Sequence, residues 1–86
     1  MDRNSLRKFI DRSQVRSQVL SGYTGAYSLG VTADPQDPGE AVLLLRVATS
    51  DTSRFERGIW LGGAYVEIIV RSGYVEPLPH SNLQPV

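Results

Sequence analysis

The sequence predicts an α+β fold, in which an N-terminal helix packs on a mainly antiparallel sheet of three or four strands. Two observations lead to this class. No Gly or Pro interrupts the chain before Gly22, and the apolar residues of this stretch recur at helical spacing. Beyond Gly22 the chain changes to short β-prone runs separated by turn-forming residues, which is typical of a sheet.

The predicted helix covers residues 5–20, with Asn4 as its N-cap and Gly22 just past its C-terminus. At about 100° per residue, one face of this helix collects its apolar side chains and should pack on the sheet. Those side chains are Leu6, Phe9, Ile10 and Leu20.

The expected strands lie near residues 26–33, 41–49, 58–61 and 64–75. Residues 34–39 are rich in turn formers and should join the first two strands, while Gly62 and Gly63 suit a two-residue hairpin turn. In the last strand Val66, Ile68 and Val70 should face the core. They alternate with Tyr65, Glu67, Ile69 and Arg71, which should point to the other side.

The run of residues 42–45 is apolar on both sides of its strand. One helix covers one face of a sheet, so an irregular segment, the C-terminal tail or a second subunit should cover the other. Leu44, which points to that second face, is therefore a candidate partner-binding residue. Self-association, or contact with another protein, is the expected partnership.

Composition narrows the possible chemistry. The chain has 86 residues, no Cys and one His, which excludes disulfide scaffolds and thiolate metal sites.

We expect a single α+β domain over residues 1–78 and a Pro-containing tail over residues 79–86. The apolar runs are far shorter than the roughly 18 to 20 residues that cross a bilayer. A cytoplasmic location without a membrane partner is the expectation.

No catalytic, metal or cofactor site can be assembled from these residues. His80 and Ser81 lie in the tail, where a solvated role is favoured over a catalytic pair. Glu67 and Glu76 are interpreted as surface carboxylates. The acidic residues of the 34–39 loop region, Asp34, Asp37 and Glu40, are explained by turn formation. An enzyme is the least favoured class.

Two surfaces are candidates for binding. Lys8, Arg12 and Arg16 recur every four residues and could contact an anionic partner, an acidic protein surface more than a nucleic acid because the sequence pI is about 6.5. Trp60 should point away from its neighbours in the strand. It would then either anchor a partner, with Tyr65 and Tyr74 extending the patch, or close the open end of a small core.

The order of features resembles a small bacterial α/β module that occurs alone or ahead of trypsin-like peptidase domains. The likeness rests on an amphipathic helix, a Gly-Val step within residues 29–32 and an apolar strand at 41–47. It continues with an Ile, Gly and Val-Glu pattern over 59–67 and a closing segment at 70–73. These are structural positions, so the resemblance implies a fold and no catalytic residues.

The sequence thus favours a small non-catalytic binding or assembly module that acts through protein–protein contact or homo-oligomerisation. The alternative is a small-molecule binding protein with an apolar groove at the sheet or at a subunit interface.

Overall fold

The computed structural model of the chain describes residues 1–75, so the predicted tail lies outside the described residues. In chain order the elements are α1 (Arg3–Ile10), α2 (Ser13–Leu20), β1 (Tyr27–Asp34), β2 (Asp37–Val47), β3 (Gly58–Leu61) and β4 (Ala64–Arg71). Helices at the N-terminus pack on one four-stranded sheet, which confirms the predicted α+β class.

The strands are arranged in the order β1-β2-β4-β3. The β1–β2 and β3–β4 pairs are antiparallel, whereas β2 and β4 are parallel, with Leu43 opposite Ile68 and Leu45 opposite Val70. The loop after β2 carries the chain beyond the position of β4, and the β3–β4 hairpin then returns β4 alongside β2. The sheet is therefore mixed, with antiparallel pairs at both edges.

The N-terminal helical region consists of two helices, so the single helix predicted over residues 5–20 is wrong. α1 begins at Arg3 with Asp2, not Asn4, at its N-cap. The helical path breaks at Arg12, whose backbone is extended (φ −81°, ψ 131°).

The break has a packing cause. In one straight helix, Val15 and Val19 would point to the side opposite Leu6. Breaking the helix lets this pair and the pair formed by Leu6 and Ile10 all enter the core, where the four side chains are buried. At the break the Arg16 Nε donates a 2.7 Å hydrogen bond to the Ile10 carbonyl, one of the groups that a helix end leaves unsatisfied.

The core lies between the helices and one face of the sheet. Val66, Ile68 and Val70 are buried there, as their alternation predicts. Ile59 and Leu61 point the same way from β3. Five buried members of the core are not among the residues predicted to lie there: Val15, Val19, Ala41, Phe55 and Leu61.

Tight turns end both hairpins. Gly62 and Gly63 have φ angles of +56° and +84°, in the region that favours glycine, which confirms the predicted turn. The β1–β2 connection is shorter than the predicted loop, because β1 runs to Asp34 and β2 begins at Asp37. An Asp34 carboxylate oxygen accepts a 2.9 Å hydrogen bond from the Gln36 amide and so stabilises the turn.

Tyr23 connects the segment after α2 to the end of β2. Its hydroxyl donates to the Ala26 carbonyl at 2.7 Å and accepts from the Ala48 amide at 3.1 Å. Its ring meets Phe55 edge-on, with 5.6 Å between centroids. One side chain thus satisfies two backbone groups and closes one end of the core.

We expect Tyr23→Phe to lower the free energy of unfolding by about 1 kcal/mol, because it removes both hydrogen bonds and keeps the ring. Urea unfolding followed by circular dichroism measures this. Tyr27→Phe is the matched control, since the Tyr27 hydroxyl makes no hydrogen bond within residues 1–75 and its loss should leave stability nearly unchanged. Equal effects of the two changes would contradict the bracing role of Tyr23.

Candidate protein-binding surface

The sheet has a second face, turned away from the helices, which we call the open face. Strand alternation assigns side chains to it, because their chain neighbours are the ones that fill the core. Within residues 1–75 no helix covers this face. Its members are Ser28, Gly30 and Thr32 of β1, Val42, Leu44 and Arg46 of β2, Tyr65, Glu67, Ile69 and Arg71 of β4, and Gly58 and Trp60 of β3.

The centre of the open face is apolar. Gly30 lies opposite Leu44, and Leu44 lies opposite Ile69, so the three residues form one row across three strands. Leu44 and Ile69 are half-buried. Val42, next along β2, is 3% exposed although it is outside the main core cluster. Leu44 is therefore on the face where the sequence predicts it, beside other apolar side chains.

Charges of opposite sign flank this row. Arg46 and Arg71 are exposed and directly opposite each other at the carboxyl ends of β2 and β4. Within residues 1–75 neither makes a salt bridge. Like charges in opposed positions destabilise a sheet, so this pair favours a nearby anion. Glu67 lies on the other side of the row, two residues before Ile69.

A groove of about 600 Å³ lies between the β1–β2 turn and β4, and Arg57 also lines it. The turn contributes Asp34, and β4 contributes Glu67, Ile69 and Arg71. A second hollow of about 400 Å³ adjoins it, with Asp34 and Glu67 again in its lining. The charged borders suit a polar protein surface better than an enclosed apolar ligand.

Trp60 and Tyr65 form an exposed aromatic pair at the β3–β4 hairpin. They are cross-strand partners, 5.3 Å apart between ring centroids and edge-to-face, and they are 69% and 60% exposed. The Tyr65 ring lies over Gly58, where an added Cβ would collide with it. Within residues 1–75 Trp60 does not close the core, because its buried neighbours Ile59 and Leu61 do so.

Tyr74 does not join this patch within one chain, contrary to the predicted extension. It is half-buried beyond the end of β4, where its amide donates to the Val47 carbonyl at 2.9 Å. Together with Arg46 and Arg71 it lines a hollow of about 460 Å³. Six residues of strand separate Tyr65 from Arg71, about 20 Å, so the aromatic residues occupy opposite ends of β4.

The predicted basic stripe does not form one continuous row, because the helix breaks inside it. Lys8 is exposed on α1. The Arg12 guanidinium lies 5.0 Å from the centre of the Phe9 ring, and Arg16 binds the Ile10 carbonyl. Two of the three cations thus have partners in their own chain. An anionic partner at Lys8, Arg12 and Arg16 stays a prediction, at a site separate from the open face.

Other candidate groups are used locally. The Asp37 carboxylate accepts from the Gly39 amide at 3.3 Å, and Glu40 pairs with the Met1 amino group at 2.7 Å. In the described part of the chain no three acidic, His or Cys side chains gather as a metal site would require. None of the helices described there has the length and apolarity to cross a membrane. Glu76, His80 and Ser81 lie outside the described residues.

Within residues 1–75 two carboxyl groups have lowered pKa values, and neither lies on the open face. A hydrogen bond from the Ser53 hydroxyl, 2.7 Å long, lowers the pKa of Asp51, with help from the Ser53 amide. The nearby Ser5 hydroxyl and amide lower the pKa of Asp2 at the start of α1. Both shifts come from local turn and helix-end contacts, and they do not mark a catalytic centre.

No protein-family model, curated protein or solved structure matches the chain. The resemblance to the bacterial module therefore stays a prediction.

Proposed function

We propose that the protein is a non-catalytic assembly module that self-associates through the open face of its sheet. The observation that carries this proposal is the apolar row at the centre of that face, where Leu44 and Ile69 lie side by side with no helix of residues 1–75 over them. Covering such a row with a second apolar surface removes it from water, which favours association.

The borders of the row support a protein partner. Exposed aromatic and Arg side chains are enriched at protein interfaces, and Trp60, Tyr65, Arg46 and Arg71 surround the apolar centre. At a spacing of about 4.8 Å between strands and about 3.3 Å per residue, the four strands offer a footprint of roughly 500 Å² before side-chain relief is counted. That size corresponds to a small interface, so we expect reversible association in the cytoplasm.

The first test is sedimentation equilibrium over a wide range of protein concentration. We expect the average mass of the wild-type protein to rise toward that of a dimer, and Leu44→Glu to stay monomeric because it places a charge in the apolar row. Gln14→Glu adds the same charge on the exposed side of α2 and should associate like the wild type. A wild-type protein that stays monomeric throughout would overturn the proposal.

The groove beside Ile69 supports one alternative, a small-molecule binding protein. A ligand seated there should raise the melting temperature of the wild-type protein, and the rise should shrink in Ile69→Ala. A melting temperature that no compound of a broad metabolite collection changes would contradict this alternative and leave self-association unaffected.

A further inference from the structure

We infer that the partner on the open face is a second copy in one defined register, with Arg71 of each copy against Glu67 of the other. This inference rests on the proposed self-association. In it, a two-fold axis lies between the two sheets and runs along the row of Gly30, Leu44 and Ile69, perpendicular to the strands.

The pattern of β4 sets this register. Glu67, Ile69 and Arg71 are successive residues of its open-face side, so the two charges lie about 7 Å on either side of Ile69. A two-fold rotation about the axis that runs over Ile69, perpendicular to the strand, places each of these positions of one copy over the other position of the second copy. Each Arg71 then meets a Glu67 of the second copy, and the contact occurs twice, as two-fold symmetry requires.

The register of β2 agrees with that of β4. Leu44 lies opposite Ile69, so the same axis runs over both. The rotation that places Arg71 over Glu67 of the second copy places Arg46 over Val42, one strand spacing of about 4.8 Å from that Glu67. The pair of arginines, which is unfavourable within one chain, thereby gains a carboxylate.

A second two-fold arrangement of the sheets is electrostatically unfavourable. An axis parallel to the strands, between β2 and β4, would place Arg46 of one copy against Arg71 of the other. Four guanidinium groups would then gather at one end of the interface, with no carboxylate among the open-face residues there. Juxtaposed like charges of this kind exclude a wrong partner or a wrong register.

Gly30 provides the closest approach between the copies. It belongs to the row on the axis, and a Cβ built on it meets no atom within 4 Å. Its backbone belongs to a regular strand, so other residues fit there without strain. A large side chain at this position would leave the single chain undisturbed but would separate the two sheets.

The decisive experiment mixes two charge-reversed proteins, Arg71→Glu and Glu67→Arg. Alone, each variant places like charges at both contacts and should associate roughly tenfold more weakly than the wild type. Mixed in equal amounts, they should form a one-to-one heterodimer, because both contacts again join opposite charges. Sedimentation velocity with one variant labelled measures this, and melting curves show that both variants are folded.

Gly30→Arg is the second variant, and it should abolish association without lowering the melting temperature. Gln14→Arg, with the same gain of charge on the exposed side of α2, is its control and should associate normally. If the wild type associates but the charge-reversed variants do not recognise each other, or if Gly30→Arg associates normally, this register is wrong while self-association stands. A wild-type protein that does not associate would instead overturn the proposed function itself.

Discussion

Leu43→Ala should lower the free energy of unfolding by about 3 kcal/mol, whereas Leu44→Ala should lower it by roughly 1 kcal/mol or less. The two leucines are neighbours in β2 and point to opposite faces of the sheet. Leu43 is 0% exposed and lies under the helices, so its truncation leaves a cavity in the core. Leu44 is half-buried on the open face, where truncation opens no enclosed space.

Urea unfolding at low protein concentration, where association is negligible, measures both costs. The dissociation constant of the dimer, measured at high protein concentration, should show the opposite order. Leu44→Ala should raise it because the change removes apolar contact from the proposed interface, whereas Leu43→Ala lies outside that interface and should leave it nearly unchanged. Two adjacent positions therefore report on different properties: Leu43→Ala mainly lowers the stability of the fold, and Leu44→Ala mainly weakens association. Equal losses of stability would show that the two faces of β2 are not assigned correctly.

The parts of the fold that the sequence predicts correctly are those where side-chain contrast is strong. In β4 the alternation of Val66, Ile68 and Val70 with Tyr65, Glu67 and Arg71 identifies the core face, although Ile69 on the other side is also apolar. In β3 the same reasoning predicts that Trp60 and Ile59 point to different faces of the sheet, and in the structure Ile59 is buried while Trp60 is exposed. Such local patterns need no knowledge of which strands pair.

The pairing of strands that are distant in the chain could not be predicted from such local patterns. β2 is apolar on both faces, so nothing in its own sequence shows that it pairs with β4 in parallel. The sequence alone therefore could not predict that Arg46 lies opposite Arg71, or that Glu67 lies on the other side of the apolar row. Both positions follow from the register of β2 and β4. Leu44 could be predicted as a candidate from the apolar run alone, but its neighbours on the open face could not.

The break between α1 and α2 could have been predicted from the helical periodicity of the apolar residues. Val15 and Val19 are spaced by four residues, like Leu6 and Ile10, but on the opposite side of a straight helix. Two apolar stripes on opposite sides of a helix that packs on one sheet indicate two helices. The expectation of one helix followed from the absence of Gly and Pro, and the arrangement in the core overrides it.

Val19→Asp should lower the free energy of unfolding by more than about 4 kcal/mol and leave most of the protein unfolded at 25 °C. Val19 is 1% exposed in the core cluster, and a carboxylate there would have neither water nor a partner charge. Gln18→Asp, one position earlier on the exposed side of α2, adds the same group and should cost less than about 1 kcal/mol. Circular dichroism during denaturant unfolding distinguishes the two.

A milder change makes the same comparison in a folded protein. Val19→Ala should cost about 2 kcal/mol, since it removes two buried methyl groups, whereas Gln18→Ala should be nearly neutral. In a single unbroken helix Val19 would face away from Leu6 and into water, and its truncation would then cost almost nothing. A small loss at Val19 would therefore favour one continuous helix, while a large loss requires the two-helix arrangement that brings both apolar pairs onto the sheet.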